Sequence, residues 1–414
     1  MIKPYAHFAT LLPQSVGAKE GPVAPEIVPS AAYAYANAQE AEAIFRGDLH
    51  KPLYARMGNP TNAKLESVLS KMEGAAGAIV TASGMGAISM VLSAFLRRGD
   101  HVLCIGGFFG GTYALMRETL ERFGIENHFR DVDDWEGMQS ILERGVQIVL
   151  VESVGNPNMK LPDLPRIASL CSHFDTLLLV DNTATPLQQQ PLSIGADIVL
   201  YSTTKNISGH SAALGGAALF RAVEPEDKLH TPKYAHLHKI VQKAGAHAMI
   251  AICKKRALRD LGMSANAFGS FVTLLGLETL ALRMEHISKS TPYIAKKLDE
   301  HLAPKIVVRH PSLPAHEHHE RYRTLFPMGC GPLLTLECGT KARAFALLNR
   351  ARLLTQTANI GDNRTLALHM QSTIYRDFTS DERAFLGITE GLIRISVGLE
   401  DPDAIVEDIL RAAS

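Results

Sequence analysis

TLLLVDNTATPLQQQPLSIGADIVLYSTTKNISGHS, residues 176–211, decides the fold class. Its two strand-length runs, Thr176 to Val180 and Asp197 to Tyr201, are dominated by apolar and β-branched residues. That is how strands read when a parallel sheet buries both of their faces. Asp181 and Ser202 stand just past the ends of these runs. Ligands of open α/β sheets bind beyond the carboxyl ends of the strands, so the two positions point at one site.

Outward from this stretch, helices and strands alternate. Asn62 to Met72 reads as a helix, Gly77 to Thr81 as a strand, Met85 to Leu96 as a helix and His101 to Ile105 as a strand. The rhythm predicts an α/β layered domain with a largely parallel sheet. Residues 1–60 carry Pro4, Pro13, Pro22, Pro25, Pro29 and Pro52 with little periodicity, so an extended arm is expected, with one short helix near 38–46. Arms of this kind reach across to a partner subunit. Residues 222–255 read as helical, and Ser264 to Glu285 as one long helix leading to a second domain. Beyond 304, strands (Ile306 to Arg309, Leu333 to Cys338, Leu392 to Val397) mix with helices (Lys341 to Leu348, Asp401 to Ala413), as in a smaller α+β domain. The expected division is an arm at 1–60, a large domain at 61–265 and a C-terminal domain at 266–414.

Composition narrows the function. The 414 residues are 46% hydrophobic and 20% charged, the profile of a globular protein. Lys plus Arg equals Asp plus Glu at 42 each, leaving no net field to attract nucleic acid or an anionic membrane. Small-molecule chemistry is the default. The five cysteines form no CxxC pair, which suits a reduced cytoplasm, and no apolar run is long enough to span a bilayer. Four histidines, His310, His316, His318 and His319, invite a metal reading, but no carboxylate or cysteine spacing completes a site, so no metal is expected.

Lys205, in YSTTKNISGHS, would alone be an ordinary lysine in a polar turn. Its neighbours change that: Ser202 and Thr204 offer hydroxyls suited to a phosphate, and the preceding strand fixes its position. An aldehyde cofactor needs an amine that burial keeps partly deprotonated, and its pyridine nitrogen needs a buried carboxylate. Asp181 suits the second role, although an Asp capping the turn after a strand is common. In TASGMGAIS a strand runs straight into a helix, so the amides of Gly84 and Met85 can bind a phosphate dianion, or Ser83 simply caps the helix. Phe109, in GGFFGGT, could stack on a planar ring or equally be a core aromatic.

The run DNTATPLQQQPLSIGADIVLYSTTKNISGHSAALGGAAL, with YARMGNPT, SGM, ESVGNPN and LIRISVGLED in that order, closely resembles the Cys/Met-metabolism family of fold-type I pyridoxal-phosphate enzymes. The resemblance covers nearly the whole chain. It implies a mostly parallel seven-stranded sheet in the large domain, pyridoxal 5'-phosphate as cofactor, and a homotetramer whose active sites are shared between paired subunits. By the same resemblance Lys205 is the Schiff-base lysine and Asp181 the partner of the ring nitrogen. Gly84, Met85, Ser202 and Thr204 match the phosphate cradle, and Tyr54 and Arg56 the pair lent to the neighbour's phosphate. Asn156 matches the partner of the ring hydroxyl, Arg394 the clamp on the substrate α-carboxylate, and Ser372 a substrate-side serine. Where the family usually stacks a tyrosine, this chain has Phe109. The lost phenol leaves proton transfer to Tyr113, Tyr54, Lys205 or water.

RALRDLGMSANAF, GLETLALRM, HPSLPAHEHH and ANIGDNRTLALH look most like the O-acetylhomoserine sulfhydrylase branch, and Gly111 stands where methionine γ-lyases usually carry a cysteine. The resemblance thus implies γ-replacement on O-acetyl-L-homoserine by a sulfur nucleophile, giving homocysteine. Sulfide, methanethiol and sulfur from a carrier protein are all open as donors. A γ-lyase or a cystathionine synthase or lyase would use the same lysine and aspartate.

Overall fold

The computed structural model describes residues 3–414. Seven strands make the large sheet: β1 (Gly77–Thr81), β2 (His101–Ile105), β3 (Glu126–Arg130), β4 (Ile148–Glu152), β5 (Leu177–Asp181), β6 (Ile198–Tyr201) and β7 (Gly216–Phe220). They lie in the order β1-β7-β6-β5-β4-β2-β3. All pairs are parallel except the two that β7 makes, with β1 and β6. One apolar cluster covers each face of this sheet, which explains why strands such as Ile148–Glu152 are apolar almost end to end.

A second sheet, in the order β10-β11-β12-β9-β8, is formed by β8 (Val307–Arg309), β9 (Leu333–Glu337), β10 (Thr355–Gln356), β11 (Leu366–His369) and β12 (Leu392–Ser396). It has its own core, closed by helices Lys341–Arg350 and Pro402–Ala413. A small cluster that includes Val154, Ala184, Leu333 and Ile360 packs the two halves together beside the carboxyl ends of β4 and β5.

Three expectations are corrected. The first residues of the arm are a packed helix, Tyr5–Val16, burying Phe8, Leu12 and Val16. That spacing of four is a helical stripe, and Pro13, which lacks the N–H that would continue the helical bonding, hid it. The helix expected over 264–285 is two, Ala267–Glu278 and Leu280–Leu302, bent by 59° around Thr279. The break has a purpose in the packing. A Cβ on Gly276 would lie 2.4 Å from the Ser208 carbonyl oxygen, so the helix end sits directly on the loop that follows Lys205. Beyond the break, the buried Arg283 donates to the carbonyls of Asn206 (2.5 Å), Ile207 (3.2 Å) and Gly276 (2.7 Å). Finally, residues 228–258 are a succession of short 3₁₀, α and π turns rather than continuous helix. Among the described residues no single helix is long and apolar enough to cross a membrane.

Candidate active site

Parallel register brings the ends of neighbouring strands level. Glu152 at the end of β4 pairs directly with Asp181 at the end of β5, and β6 ends one strand further at Tyr201, followed by Ser202 and the turn to Lys205. These residues line a cleft of about 230 Å³ together with Ser83, Gly84, Met85, Phe109, Thr112, Asn156, Thr183, Thr204 and Arg394.

At one end the cleft is a cradle. Helix Gly84–Phe95 opens with Ser83, whose hydroxyl accepts from the Gly86 N–H at 3.0 Å, so the first turn points its remaining amides outward. A Cβ on Gly84 would come within 2.7 Å of the Ser202 Cβ, and only glycine lets helix and serine approach this closely. Thr204 stands alongside, its hydroxyl bonded to the Gly215 carbonyl at 3.1 Å. Amides at a helix N-terminus ringed by small hydroxyls fit a phosphate.

The middle of the cleft is electrostatically strained. Asp181 accepts from the Thr183 N–H at 3.0 Å, but burial still pushes its carboxyl above the ordinary range. Glu152 beside it is raised further, by burial and then by Asp181, although it accepts from the amides of Phe109 (2.8 Å) and Asn156 (3.3 Å). Arg394, 3% exposed, donates to Asn156 Oδ1 at 3.0 Å and to the Asn359 carbonyl at 3.1 Å, and burial draws its guanidinium down to about 10. Burial, then Arg394, pulls the Lys205 amine down to about 8, so roughly a tenth of it is unprotonated near pH 7. Two buried acids thus share the cleft with a lysine ready to act as a nucleophile. A planar group carrying an aldehyde, a phosphate and a basic ring nitrogen answers all three demands at once, and pyridoxal phosphate is such a group.

The sequence-predicted residues divide sharply. Lys205, Asp181, Gly84, Met85, Ser202, Thr204, Phe109, Asn156 and Arg394 all line the cleft. Tyr113 does not. Its ring packs on Phe129 and Phe378 at 4.6 and 5.4 Å, and its hydroxyl is near Arg117, because the helix Gly110–Ala114 turns it into the core. It is not placed to move protons in this cleft. Ser372 is also elsewhere: its hydroxyl bonds His369 Nδ1 at 2.7 Å, in the turn after β11. Tyr54 and Arg56 lie outside the cleft of their own chain. Tyr54 is 44% exposed, with the Arg56 guanidinium 5.1 Å from its ring centre.

Three residues went unread. The amine of Lys205 donates to Asn359 Oδ1. Glu152 anchors the loops of Phe109 and Asn156 by their N–H groups, and the fully buried Tyr375 reaches the carbonyls of Phe108 and Asn156, each at 3.2 Å. The histidines set aside as metal ligands hold structure together: His318 bonds Asp133 at 2.8 Å and accepts from the Leu161 N–H at 2.9 Å, while His310 meets Cys330 at 3.4 Å.

A doubly packed, mainly parallel sheet with a desolvated lysine beyond its strand ends, a carboxylate one strand away and a phosphate cradle at one end of the cleft defines a pyridoxal-phosphate enzyme of fold type I. Within that class the chain belongs to the Cys/Met metabolism PLP-dependent enzymes, whose family model matches residues 11–414. It is 35% identical over 388 residues to an O-succinylhomoserine sulfhydrylase of Mycobacterium tuberculosis, covering 92% of this chain and 89% of that one. It is 34% identical over 362 residues to an L-methionine gamma-lyase of Fusobacterium nucleatum, covering 86% and 85%. A crystal structure of an O-acetylhomoserine (thiol)-lyase from Campylobacter jejuni, which contains a pyridoxyl-lysine phosphate adduct, superposes with a TM-score of 0.88 at 29% identity, covering 98% of this chain and 99% of that one.

Proposed function

We propose that the protein replaces the γ-substituent of O-acetyl-L-homoserine with a sulfur nucleophile, giving L-homocysteine. When bound, pyridoxal phosphate supplies an electron sink for charge that develops on the substrate carbon chain. The protein's residues do the rest. Lys205 is the attachment point for the cofactor and, once its amine is free, the base that takes the Cα proton and carries it along the chain. Asp181 holds the ring nitrogen protonated, and Arg394 grips the α-carboxylate with its planar fork. Gly84, Met85, Ser202 and Thr204 would receive the phosphate, Asn156 the ring hydroxyl, and Phe109 would offer its face to the ring. We assign Tyr54 and Arg56 to the phosphate site of a neighbouring copy, which implies paired subunits and suits a homotetramer.

The observation that carries this reading is Phe109 on the wall of the cleft. Its ring offers no proton to a departing group. A thiolate leaving from a thioether needs one, whereas acetate is stable as an anion at neutral pH and leaves without help. The choice of acetyl over succinyl follows from charge. Among the described residues lining the cleft the cations are Lys205 and Arg394, and both already have roles. A second substrate carboxylate would lack a partner there.

The similarity to a methionine gamma-lyase keeps elimination as the second reading, since it uses the same lysine and aspartate. The test is to incubate the cofactor-loaded protein with O-acetyl-L-homoserine, O-succinyl-L-homoserine or methionine, with and without sulfide. Homocysteine formed from the acetyl ester only when sulfide is present supports the proposal. Keto acid and ammonia formed from methionine would replace it with the lyase. Introducing the phenol by Phe109→Tyr should raise elimination from methionine several-fold, short of the roughly 10²–10⁴ that a fully positioned acid supplies, while changing γ-replacement on the acetyl ester by less than about threefold.

A further inference from the structure

An amide shows an acceptor on one side and donors on the other, so the way Asn359 faces Lys205 decides what the lysine can do. With Oδ1 toward the amine, as found, one amine N–H is engaged and the nitrogen lone pair stays free. With the NH₂ group toward it, the lone pair would accept a hydrogen bond and be lost to chemistry.

The orientation is imposed from outside the cleft. Asp362, 2% exposed, accepts from Arg364 Nε at 2.7 Å, from Arg364 Nη2 at 3.1 Å and from the Arg364 N–H at 2.9 Å. Burial opposes its charge, but Arg364 and Ser211 outweigh that and hold its carboxyl below the ordinary range. An ionised carboxylate can only accept, so the Ser211 hydroxyl must donate to Asp362. Its one proton being committed, Ser211 Oγ accepts from Asn359 Nδ2 at 2.8 Å, which turns Oδ1 toward the lysine. Ser211 is held at φ 53°, a left-handed conformation uncommon for a residue with a side chain, and this sets its hydroxyl between the two partners. The loops are interlocked as well. The Asn363 N–H donates to the Gly209 carbonyl at 3.0 Å, and a Cβ on Gly361 would lie 2.5 Å from the Asn206 nitrogen.

Building on the assignment of Lys205 as the cofactor lysine, we propose that Ser211 and Asp362 are positioning residues that lock the Asn359 amide in the orientation that leaves the Lys205 lone pair free. The test uses the full chain stripped of cofactor, following uptake of pyridoxal phosphate by its visible absorbance as pH is varied. Uptake needs the free amine, so in the wild type the rate should climb through about pH 8. In Ser211→Ala the amide is free to turn. Losing the acceptor disfavours the ammonium, so the midpoint should fall by about one pH unit, and the high-pH rate should drop several-fold as the lone pair is occupied. Asp362→Asn, which lets Ser211 donate or accept, should fall between these. Asn359→Asp presents oxygen on both sides and needs no orienting, so adding Ser211→Ala to it should change neither midpoint nor rate. A Ser211→Ala profile identical to wild type, or one that shifts equally in the Asn359→Asp background, would overturn the proposal. A wild-type chain that takes up no pyridoxal phosphate at any pH would instead overturn the assignment of Lys205.

Discussion

The ends of β4, β5 and β6 and the segment carrying Tyr54 and Arg56 are assigned to the same kind of site, yet they are built in opposite ways. The strand ends are buried and fixed by register, with Glu152 level with Asp181 and each charged group held by backbone or side-chain bonds within one chain. The arm segment is pinned through its backbone, by the bridge from Ala32 to Tyr54, by the Tyr35 hydroxyl on the Leu53 carbonyl at 2.9 Å and by the Ser264 hydroxyl on the Arg56 carbonyl at 3.0 Å, while the side chains of Tyr54 and Arg56 are exposed. The difference teaches that one chain completes the buried strand-end cleft by folding, whereas Tyr54 and Arg56 stand outside that cleft with exposed side chains, as the role proposed for them at a neighbour's phosphate requires. Exposed apolar residues near the cleft mouth follow the same logic, Leu214 being 71% exposed although it lines the cleft.

The largest effect expected breaks the buried half. Lys205→Ala should purify without the visible cofactor band and lose at least about 10³-fold in turnover, since both attachment and proton transfer go with the amine. Its thermal midpoint without cofactor should stay near that of the wild type, because removing a desolvated cation relieves burial cost. A variant that keeps a stable visible band would mean that another lysine holds the cofactor. A smaller effect is expected in the outward half. Arg56→Ala should weaken cofactor binding by about 10–100-fold, the worth of one charge-assisted bond, measured by equilibrium titration. Mixing the two dead or weakened variants then sharpens the comparison. If Arg56 serves a neighbour, random pairing of Lys205→Ala with Arg56→Ala chains at limiting cofactor yields hybrids with one intact site, and activity should recover to about a quarter of wild type. No recovery would place Arg56 outside the neighbour's site.

The same contrast explains what was legible in the sequence. The bounds of β1 and β2 match the reading to the residue, because short apolar runs ended by Gly, Ser or Asp leave little freedom. Asp181 and Ser202 followed from the strand-end rule and Lys205 from the hydroxyl-rich turn beside them, and Glu152 could have followed from the same rule, as the lone charge closing the apolar run IVLVE. What failed was the direction of side chains in turns. Tyr113 and Ser372 are each within a few residues of the right place, but a helical turn of roughly 100° per residue sends one into the core, and a local bond to His369 holds the other. Asn359 and Tyr375 reach the site only through contacts across 154 and 219 residues, which no local pattern encodes. The packed helix at Tyr5–Val16 shows the same limit from the other side, since only the tertiary surface beneath it reveals that its stripe is buried.

The smallest expected effect tests the rigidity of the buried half without touching the cleft. Glu73, 6% exposed, accepts from the Tyr201 hydroxyl at 2.8 Å, and Tyr201 in turn accepts from Asn182 Nδ2 at 2.8 Å, directly behind Asp181. Burial pushes the Glu73 carboxyl up to about 8 from an ordinary value of 4.5. The folded state therefore binds this proton more tightly than the unfolded state does. Its contribution is fully present below about pH 4.5, declines as pH rises from there, and is lost by the time pH passes about 8. Glu73→Gln keeps an acceptor for Tyr201 and cannot ionise, so its thermal midpoint should fall less steeply than that of the wild type between those limits, ending about 2–4 °C higher at pH 8. The visible band and turnover should be unchanged, because the strand ends are held by register rather than by this acid. If Glu73→Gln instead alters the cofactor band, the polar network behind β5 and β6 is coupled to Asp181, and the strand-end face is less independent of its support than its hydrogen bonds imply.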